Sequence, residues 1–300
     1  MFTYWGAVGI LFLLSCFIVI LAIWAIAHIN TFFCFIKEGQ GVIIKRGESF
    51  HRIIISYHGH QCVVVEEEAG EGNNKKTVRR WKIIPKKQDE LEHFNGFLGF
   101  LEKRFGIYWI GIYPFYKVMM YQFRWNEWEQ KSEGGGSTIP SLKHREELTN
   151  FFYVQTFNYA LFLSGAETGG KRDGKENAGG NISVNAQITL LLRIIYPQVA
   201  ILQNEDWFEQ LEAVVLDHAR LYVGSRTFEQ LHTSVHTARG TETRNEFCEH
   251  IMSLNAHAPI GADTDSIIDA FGVEIVGAVI MSVELAGDSK KIASETTAIY

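Results

Sequence analysis

The sequence predicts an α+β protein that is held in a membrane by a single N-terminal helix. Three observations lead to this prediction. Residues 1–36 contain no Lys, Arg, Asp or Glu. Short β-branched runs between glycines and other turn residues lie at residues 41–47, 62–81, 182–196 and 273–283, and such runs are typical of strands. Between residues 206 and 254, apolar side chains recur at the three- and four-residue spacing of amphipathic helices.

Composition places the chain among folded proteins and argues against one class of partner. Of the 300 residues, 47% are apolar and 21% are charged, as in ordinary globular proteins. The net charge of −6 argues against nucleic acid, whose binding surface needs a dense basic stripe. The four cysteines form no C-x-x-C pair. This usage fits a reducing compartment, where free thiols behave as small apolar side chains.

The apolar segment at residues 5–27 is long enough to cross a hydrocarbon core of roughly 30 Å as a helix. A cleaved signal peptide would begin with a basic region, whereas residues 1–3 carry no charged side chain. A helix that is apolar on every face would need a very large protein core to bury it. We therefore predict a retained transmembrane anchor over residues 1–30. The side chains expected to face lipid are Trp5, Leu11, Phe17, Ile20 and Trp24.

The charges that follow the anchor predict its orientation. Lys37, Lys45, Arg46 and Arg52 lie on the C-terminal side, and no charged side chain precedes the anchor. Because basic residues stay on the cytoplasmic side of a membrane, the soluble region is expected in the cytoplasm of a single-pass cell-membrane protein. A glycosylation sequon at Asn181 would matter only if this region faced a lumen.

Residues 62–68 and 75–81 predict a β-hairpin around a turn rich in Gly and Asn. The first segment ends in three glutamates, and the second contains Lys75, Lys76, Arg79 and Arg80. A cation site is one interpretation of the acidic run. The simpler interpretation is that the two runs face each other, since opposite charges across a strand pair contribute roughly 0.2–1 kcal/mol each.

Residues 94–128 hold thirteen aromatic side chains and allow two interpretations. One is a well-filled β core. The other is a surface that lies in the lipid interface, where amphipathic rings are favoured, with Phe97, Phe100 and Trp109 as candidate lipid contacts. The glycines that interrupt the run, as loops entering a leaflet would need, are Gly96, Gly99, Gly106 and Gly111.

The later part of the chain predicts a loop, two strands, three helices and a final strand. Residues 131–141 read as a flexible loop, and strands at 151–163 and 182–196 flank a glycine-rich connection. Asp206 followed by Glu209 is close to the capping box that begins a helix. Further helices are expected from about Thr227 and over residues 242–254, before a strand at 273–283.

Taken in order, these segments resemble the SPFH (band-7) family of stomatins, prohibitins and flotillins. The resemblance covers residues 36–285 and depends on the order of its pieces rather than on any single motif. The pieces are EGQGVIIKRG at 38–47, GIYPFYKV at 111–118, the strand 183–196 before Pro197, the helix at 206–220 leading into VGSRTFEQL at 223–231, and FGVEI at 271–275.

The resemblance implies a β-rich SPFH subdomain at 36–197 lying on the membrane and an α/β subdomain at 198–285. It further implies rings or cages, built from this chain or a paralogue, that enclose a membrane patch and regulate membrane proteases or channels. No catalytic residue and no cofactor come with the family. Residues 286–300 would begin a C-terminal helix, with Ile292 and Ile299 as candidate oligomer contacts.

The chain also departs from the family. Tyr196 stands before Pro197 where an acidic or amide residue is usual, and the charged hairpin and glycine-rich connection look like insertions. Members usually continue into a long helix that closes the cage, whereas this sequence ends at Tyr300. Either the chain is a fragment or its rings lack that wall.

The alternative from another functional class is a membrane-bound, metal-dependent hydrolase. His232 and His236 are four residues apart on an expected helix, a spacing that zinc enzymes use, although the H-E-x-x-H pattern is absent. His58, His60 and Cys62 form a second candidate cluster. The predicted function is a membrane scaffold without enzymatic activity, and the hydrolase is kept as the alternative.

Overall fold

The computed structural model describes residues 2–69, 76–86, 96–132, 138–169, 182–203, 206–236, 241–256 and 266–287. These residues mix helix and strand behind one apolar N-terminal helix, which confirms the predicted class. Contacts divide the chain into two compact units, residues 1–122 with 148–155, and residues 123–147 with 156–300. The limit predicted at residue 197 lies inside the second unit, and the subdomain assignment itself stays a prediction.

The first unit contains two helices and most of the short strands. In chain order its elements are α1 (Phe2–His28), β1 (Phe33–Phe35), β2 (Gln40–Arg46), β3 (Ser49–Ser56), β4 (His60–Ala69), β5 (Lys76–Pro85), α2 (Gly96–Phe105), β6 (Ile107–Trp109), β7 (Tyr116–Val118) and β10 (Phe152–Tyr153). Strand β2 pairs with β3, β7 and β10, while β1 pairs with β6. All these pairs are antiparallel. The strand predicted at residues 41–47 is confirmed as β2.

The charged hairpin is also confirmed. Strands β4 and β5 pair antiparallel, with Glu66 opposite Arg79, and Arg79 Nε donates to Glu66 Oε1 over 2.7 Å. Both side chains are more than half exposed, so solvent screening keeps their net contribution at about 1 kcal/mol or less. Charge pairing across the hairpin is therefore confirmed for Glu66, whereas Glu67 and Glu68 lie opposite Val78 and Thr77.

The interpretation of residues 96–105 as lipid-entering loops is wrong, because they form helix α2. Gly99 is buried inside that helix, where a glycine costs about 1 kcal/mol relative to alanine. Burial of the Leu101 side chain, which is 0% exposed, offsets that cost. The helix ends at Gly106, whose φ of 64° is a conformation that suits glycine.

The single strand predicted at residues 151–163 is two strands. Strand β10 pairs with β2, whereas β11 (Phe157–Thr168) pairs with β12 (Ile182–Ile194). The break falls at Gln155, beside Gly39, whose N–H donates to Ser56 O and whose carbonyl accepts from Val154 N. A continuous apolar run hid this change of partner, since periodicity does not report which strand a segment pairs with.

The second unit has a three-stranded antiparallel sheet in the order β11–β12–β13, with β13 at Val273–Leu285. Even-numbered residues of β12 from Val184 to Ile194 are buried and the odd-numbered ones are half-buried. Tyr159 lies opposite Leu190 and stacks on Phe208 of a helix at a centroid distance of 5.3 Å, so the buried face of the sheet is the helix-covered face. On the other face Trp128 Nε1 donates to Thr189 Oγ1 over 3.1 Å.

The remaining elements of this unit include a hairpin that the sequence did not predict. They are β8 (Tyr121–Ser132), β9 (Thr138–Thr149), α3 (Trp207–Gly224), α4 (Phe228–His236), α5 (Thr241–Met252) and α6 (Ile267–Phe271). The predicted loop at 131–141 is narrower than expected, because β8 reaches Ser132 and β9 begins at Thr138. Residues 133–137, like residues 170–181 of the glycine-rich connection, lie outside the described residues.

Helix capping differs from the prediction. Asp206 makes no capping hydrogen bond to α3, and its Oδ1 instead accepts from Arg124 Nη1 over 3.0 Å. The capping box is at α4, where Thr227 Oγ1 accepts from Gln230 N–H and Gln230 Oε1 accepts from Thr227 N–H. Its sequence, T-F-E-Q, has the spacing that identifies such a box.

One side chain ties the helical layer to β13 through two backbone bonds. Asn255 Oδ1 accepts from Ile275 N–H over 2.9 Å, and Asn255 Nδ2 donates to Ile275 O over 2.8 Å. We expect Asn255→Ala to lower the free energy of unfolding by about 2–3 kcal/mol, because it leaves two backbone groups without partners. Urea titration of the detergent-solubilised chain measures this, and Asn255→Asp should recover the bond that Ile275 N–H donates. A loss below 0.5 kcal/mol would contradict this role.

Candidate membrane interface

Helix α1 presents apolar side chains to its surroundings on every side. Leu11 is 67% exposed and Phe17 is 61% exposed, although they lie on different faces of the helix. Trp24 is exposed and Ile20 is half-buried, while the side chain of Trp5 lies outside the described residues. By length and composition the segment Val8–His28 could span a membrane. This agrees with a single-pass protein, and its orientation stays the prediction made from the flanking charges.

The C-terminal end of α1 packs against helix α2. Ala27, Leu101 and Ile107 form a buried cluster, and Ile23, Phe33 and Phe105 pack around it as partly buried residues. Full burial of a leucine contributes about 1.5–3 kcal/mol, so Leu101 is a strong anchor for a ten-residue helix. Helix α2 is therefore held at the C-terminal end of α1.

The outer face of α2 carries two exposed aromatic side chains. Phe97 is 57% and Phe100 is 39% exposed, while Leu98, which is 47% exposed, lies on another side of the helix. An amphipathic helix of a soluble protein turns such residues inward, and contiguous exposed apolar side chains mark an interaction surface. Of the three candidate lipid contacts, Phe97 and Phe100 belong to this face.

Trp109 lies near the same end of α1 but in a different setting. It sits on β6 at 36% exposure, and its ring is 5.0 Å from that of Phe33 and 6.4 Å from that of Phe32. Its carbonyl accepts a hydrogen bond from Arg52 Nη2. Half-exposed rings beside a polar partner are typical of membrane–water interfaces. Trp109 thus combines a packing role with the exposed edge that lipid contact requires.

The aromatic segment contains both buried and exposed rings, and contact of the exposed ones with lipid stays a prediction. Phe123 is 7% exposed and lies 5.2 Å from the ring of Phe208, as a core residue does. Phe115, in contrast, is 66% exposed. The segment therefore contributes some rings to packing and others to an exposed apolar surface.

The cysteines have the character of packing residues. All four are free. Burial raises the pKa of the Cys34 and Cys62 thiols to about 12, so both stay protonated and unreactive near neutral pH. Cys34 belongs to the buried cluster with Ile36, Val42, Ile44 and Ile110.

The candidate metal ligands do not form a site among the described residues. His232 is exposed with its ring 5.7 Å from that of Phe228, and the side chain of His236 lies outside the described residues. The ring of His60 stacks on Tyr57 at 4.3 Å and its Nδ1 lies 3.1 Å from His58 O. Within the described part of the chain, no three His, Cys, Asp or Glu side chains converge as ligands.

A polar cavity of about 220 Å³ lies in the second unit. Asn126 Nδ2 donates to Tyr159 Oη and to Glu212 Oε2, each over 3.1 Å, and Tyr159 Oη donates to Glu212 Oε2 over 2.9 Å. Asn126 Oδ1 lies 2.9 Å from His144 Nδ1. Burial and the adjacent Glu212 carboxylate raise the pKa of Tyr159. These groups act as hydrogen-bond partners for one another, and buried polar groups in a stable core need such partners.

The candidate oligomer contacts, Ile292 and Ile299, lie outside the described residues. No protein-family model matches the chain, and no curated protein matches it. The SPFH resemblance therefore stays a prediction.

Proposed function

We propose that the protein is a membrane-anchored oligomeric scaffold that organises a membrane patch or regulates membrane proteases or channels. The observation that supports this most is the exposed apolar face of α2, fixed by Leu101 to the end of α1. A helix so placed lies in the interface beside its own anchor. The first unit would then lie flat on the bilayer, as the SPFH resemblance implies for a β-rich subdomain at 36–197.

Assembly is supported by strand β13. Among the described residues β13 pairs only with β12, at one end of the sheet order. Both backbone groups of Ile275 and the N–H of Ala278 are already bonded within the unit. The part of this edge strand after Ala278 therefore offers backbone groups to another chain. Met281 on this strand is 55% exposed. A neighbouring subunit would cover it, in a head-to-tail contact that closes into a ring by rotation.

We expect cross-linking in native membranes to give a ladder well beyond the dimer. Met281→Lys should shorten this ladder, because it places a charge in the proposed contact, and removal of residues 288–300 should do the same by deleting the segment with Ile292 and Ile299. Met252→Lys, at another exposed methionine of the same unit, is the matched control and should leave the ladder intact. Negative-stain images of detergent-extracted particles should show closed rings. A chain that is monomeric in mild detergent and gives no ladder would refute the scaffold.

Topology is tested separately. We expect a cysteine introduced in the glycine-rich connection at residues 170–181 to resist an impermeant maleimide applied to intact cells, and to react after permeabilisation. The buried thiol of Cys34 gives a low background in this assay, and the half-buried Cys62 and Cys248 are replaced by serine beforehand. Ready labelling of intact cells would place the soluble region outside the cytoplasm and give the sequon at Asn181 a function.

A further inference from the structure

A cavity of about 560 Å³ lies in the first unit. Its volume is within the range of small-molecule sites. The β3–β4 turn, the C-terminal end of α2 and the segment after β1 form its walls. Four aromatic side chains line it, namely Phe35, Tyr57, Phe105 and Tyr108.

The cavity begins at the end of the membrane-spanning helix. The ring of Phe35 is 6.0 Å from that of His28, the last residue of α1. Phe105 packs against the cluster that contains Ala27. The end of a membrane-spanning helix lies at the level of the lipid headgroups. A phospholipid beside α1 therefore has its headgroup next to this cavity.

The charges that line the cavity are balanced. Lys37 and Lys86 contribute two positive groups, and Glu38 and Glu102 contribute two negative groups. Glu38 Oε1 accepts from the backbone N–H of His58 over 2.5 Å. Burial raises the pKa of Glu102, while the nearby Lys86 and Arg52 lower it. Lys86 is exposed, so it can turn toward a ligand at little cost.

A ligand with one charge would meet an opposing pair in this cavity. An anionic headgroup would face two carboxylates, and a simple cation would face two ammonium groups. A ligand that carries both a phosphate and an ammonium group matches both pairs. Aromatic rings add to the attraction for an ammonium group through their negative faces.

We propose that this cavity binds the zwitterionic headgroup of a phospholipid, with its phosphate at Lys37 and Lys86 and its ammonium group at Glu102, Phe105 and Tyr108. Phosphoethanolamine and phosphocholine share this chemistry. The proposal rests on the membrane attachment in the proposed function, and not on assembly. It gives the first unit a means of selecting which lipids surround the anchor.

The binding experiment uses the full chain in a maltoside detergent, which has no phosphate to compete. Glycerophosphoethanolamine, glycerophosphocholine and glycerol 3-phosphate are titrated by calorimetry. At least one zwitterionic probe should bind with a stoichiometry of one per chain, and glycerol 3-phosphate should bind at least about tenfold more weakly because it lacks the ammonium group. Equal binding of glycerol 3-phosphate, or no binding of either zwitterionic probe, would overturn the proposal.

Two variants locate the site. Glu102→Gln and Lys86→Gln should each lower the affinity for the zwitterionic probe by about tenfold or more, since each removes one charge-assisted contact. Glu66→Gln is the matched control, because Glu66 lies in the same unit on the exposed hairpin and does not line the cavity. Lys86 is exposed, so its substitution tests the site even if Glu102→Gln is destabilised. Unchanged affinity in Lys86→Gln would overturn the assignment.

Lipid retention separates a headgroup from a free soluble ligand. The chain is reconstituted in nanodiscs with equal amounts of phosphatidylethanolamine, phosphatidylcholine and phosphatidylglycerol, then released and weighed by native mass spectrometry. A retained zwitterionic lipid, reduced in Lys86→Gln, is expected. Retention of phosphatidylglycerol alone, or of no lipid while the soluble probe binds, would overturn the headgroup assignment. Sedimentation with membranes is measured in parallel. This distinguishes loss of lipid binding in the cavity from loss of membrane attachment.

Discussion

Removal of residues 1–22 is expected to release the protein from membranes into the fraction that carbonate extracts. The deleted part of α1 contains Leu11, Phe17 and Ile20 and no charged side chain. Full burial of each such residue in lipid contributes about 1.5–3 kcal/mol, so the segment dominates attachment. The cut leaves Ile23 and Ala27, which pack with Leu101, and the rest of the fold therefore keeps its contacts.

The control for this deletion keeps the anchor's composition and changes its order. A chain with residues 8–22 permuted should remain in the carbonate-resistant pellet, because lipid burial depends on apolar area and not on sequence order. Without residues 1–22, the outer face of α2 supports only peripheral binding, which carbonate reverses. A truncated chain that stays in the pellet would show that a second segment penetrates the membrane, and the single-anchor account would be wrong.

The apolar N-terminal helix α1 was predictable because its length and apolar character are properties of composition. A segment without charges and apolar on all sides has one stable environment, whatever the rest of the chain does. Strands β2, β12 and β13 were predictable because β-branched runs between turn residues indicate a strand from the local sequence alone. The charged hairpin followed from the same pattern and from its complementary runs.

Helix α2 was missed because its glycines carry a local signal that tertiary packing overrides. Gly96 and Gly99 argue against a helix by propensity, and the contact of Leu101 with Ala27 cannot be read from either segment alone. The break between β10 and β11 was missed for the same kind of reason. Which strand a segment pairs with depends on residues far away in the sequence. Residues 151–163 by themselves show only one continuous apolar run.

The cavity beside the anchor was beyond sequence reasoning altogether. Its charged residues, Lys37, Glu38, Lys86 and Glu102, belong to three separate parts of the chain. No spacing rule connects them, because spacing rules report neighbours on one helix or strand. The candidate lipid contacts Phe97 and Phe100 were found only as members of an aromatic-rich segment, and their exposure came from the fold.

The final prediction separates a lipid-facing role from a packing role within the single helix α2. Phe97→Ser should change the thermal midpoint of the full chain by no more than about 1–2 °C, because that side chain is mostly exposed in the folded unit. The Phe97→Ser, Phe100→Ser pair should still weaken binding of the 23–300 chain to vesicles by at least about tenfold. The exposed parts of the two rings together amount to about one side chain, so about 1.5–3 kcal/mol of lipid burial is lost.

Leu101→Ala is the matched control, and its result should be the reverse. Leu101 of α2 is fully buried in a cluster with Ala27 and Ile107, and truncation of such a leucine costs about 2–5 kcal/mol of unfolding free energy. The thermal midpoint should fall accordingly. Vesicle binding by the folded fraction should change little, because the outer face of α2 keeps its rings. Flotation with liposomes measures binding, and circular dichroism measures the midpoint. If Phe97→Ser lowered the midpoint as much as Leu101→Ala, the exposed face of α2 would be a protein contact, and the membrane-lying arrangement of the first unit would be refuted.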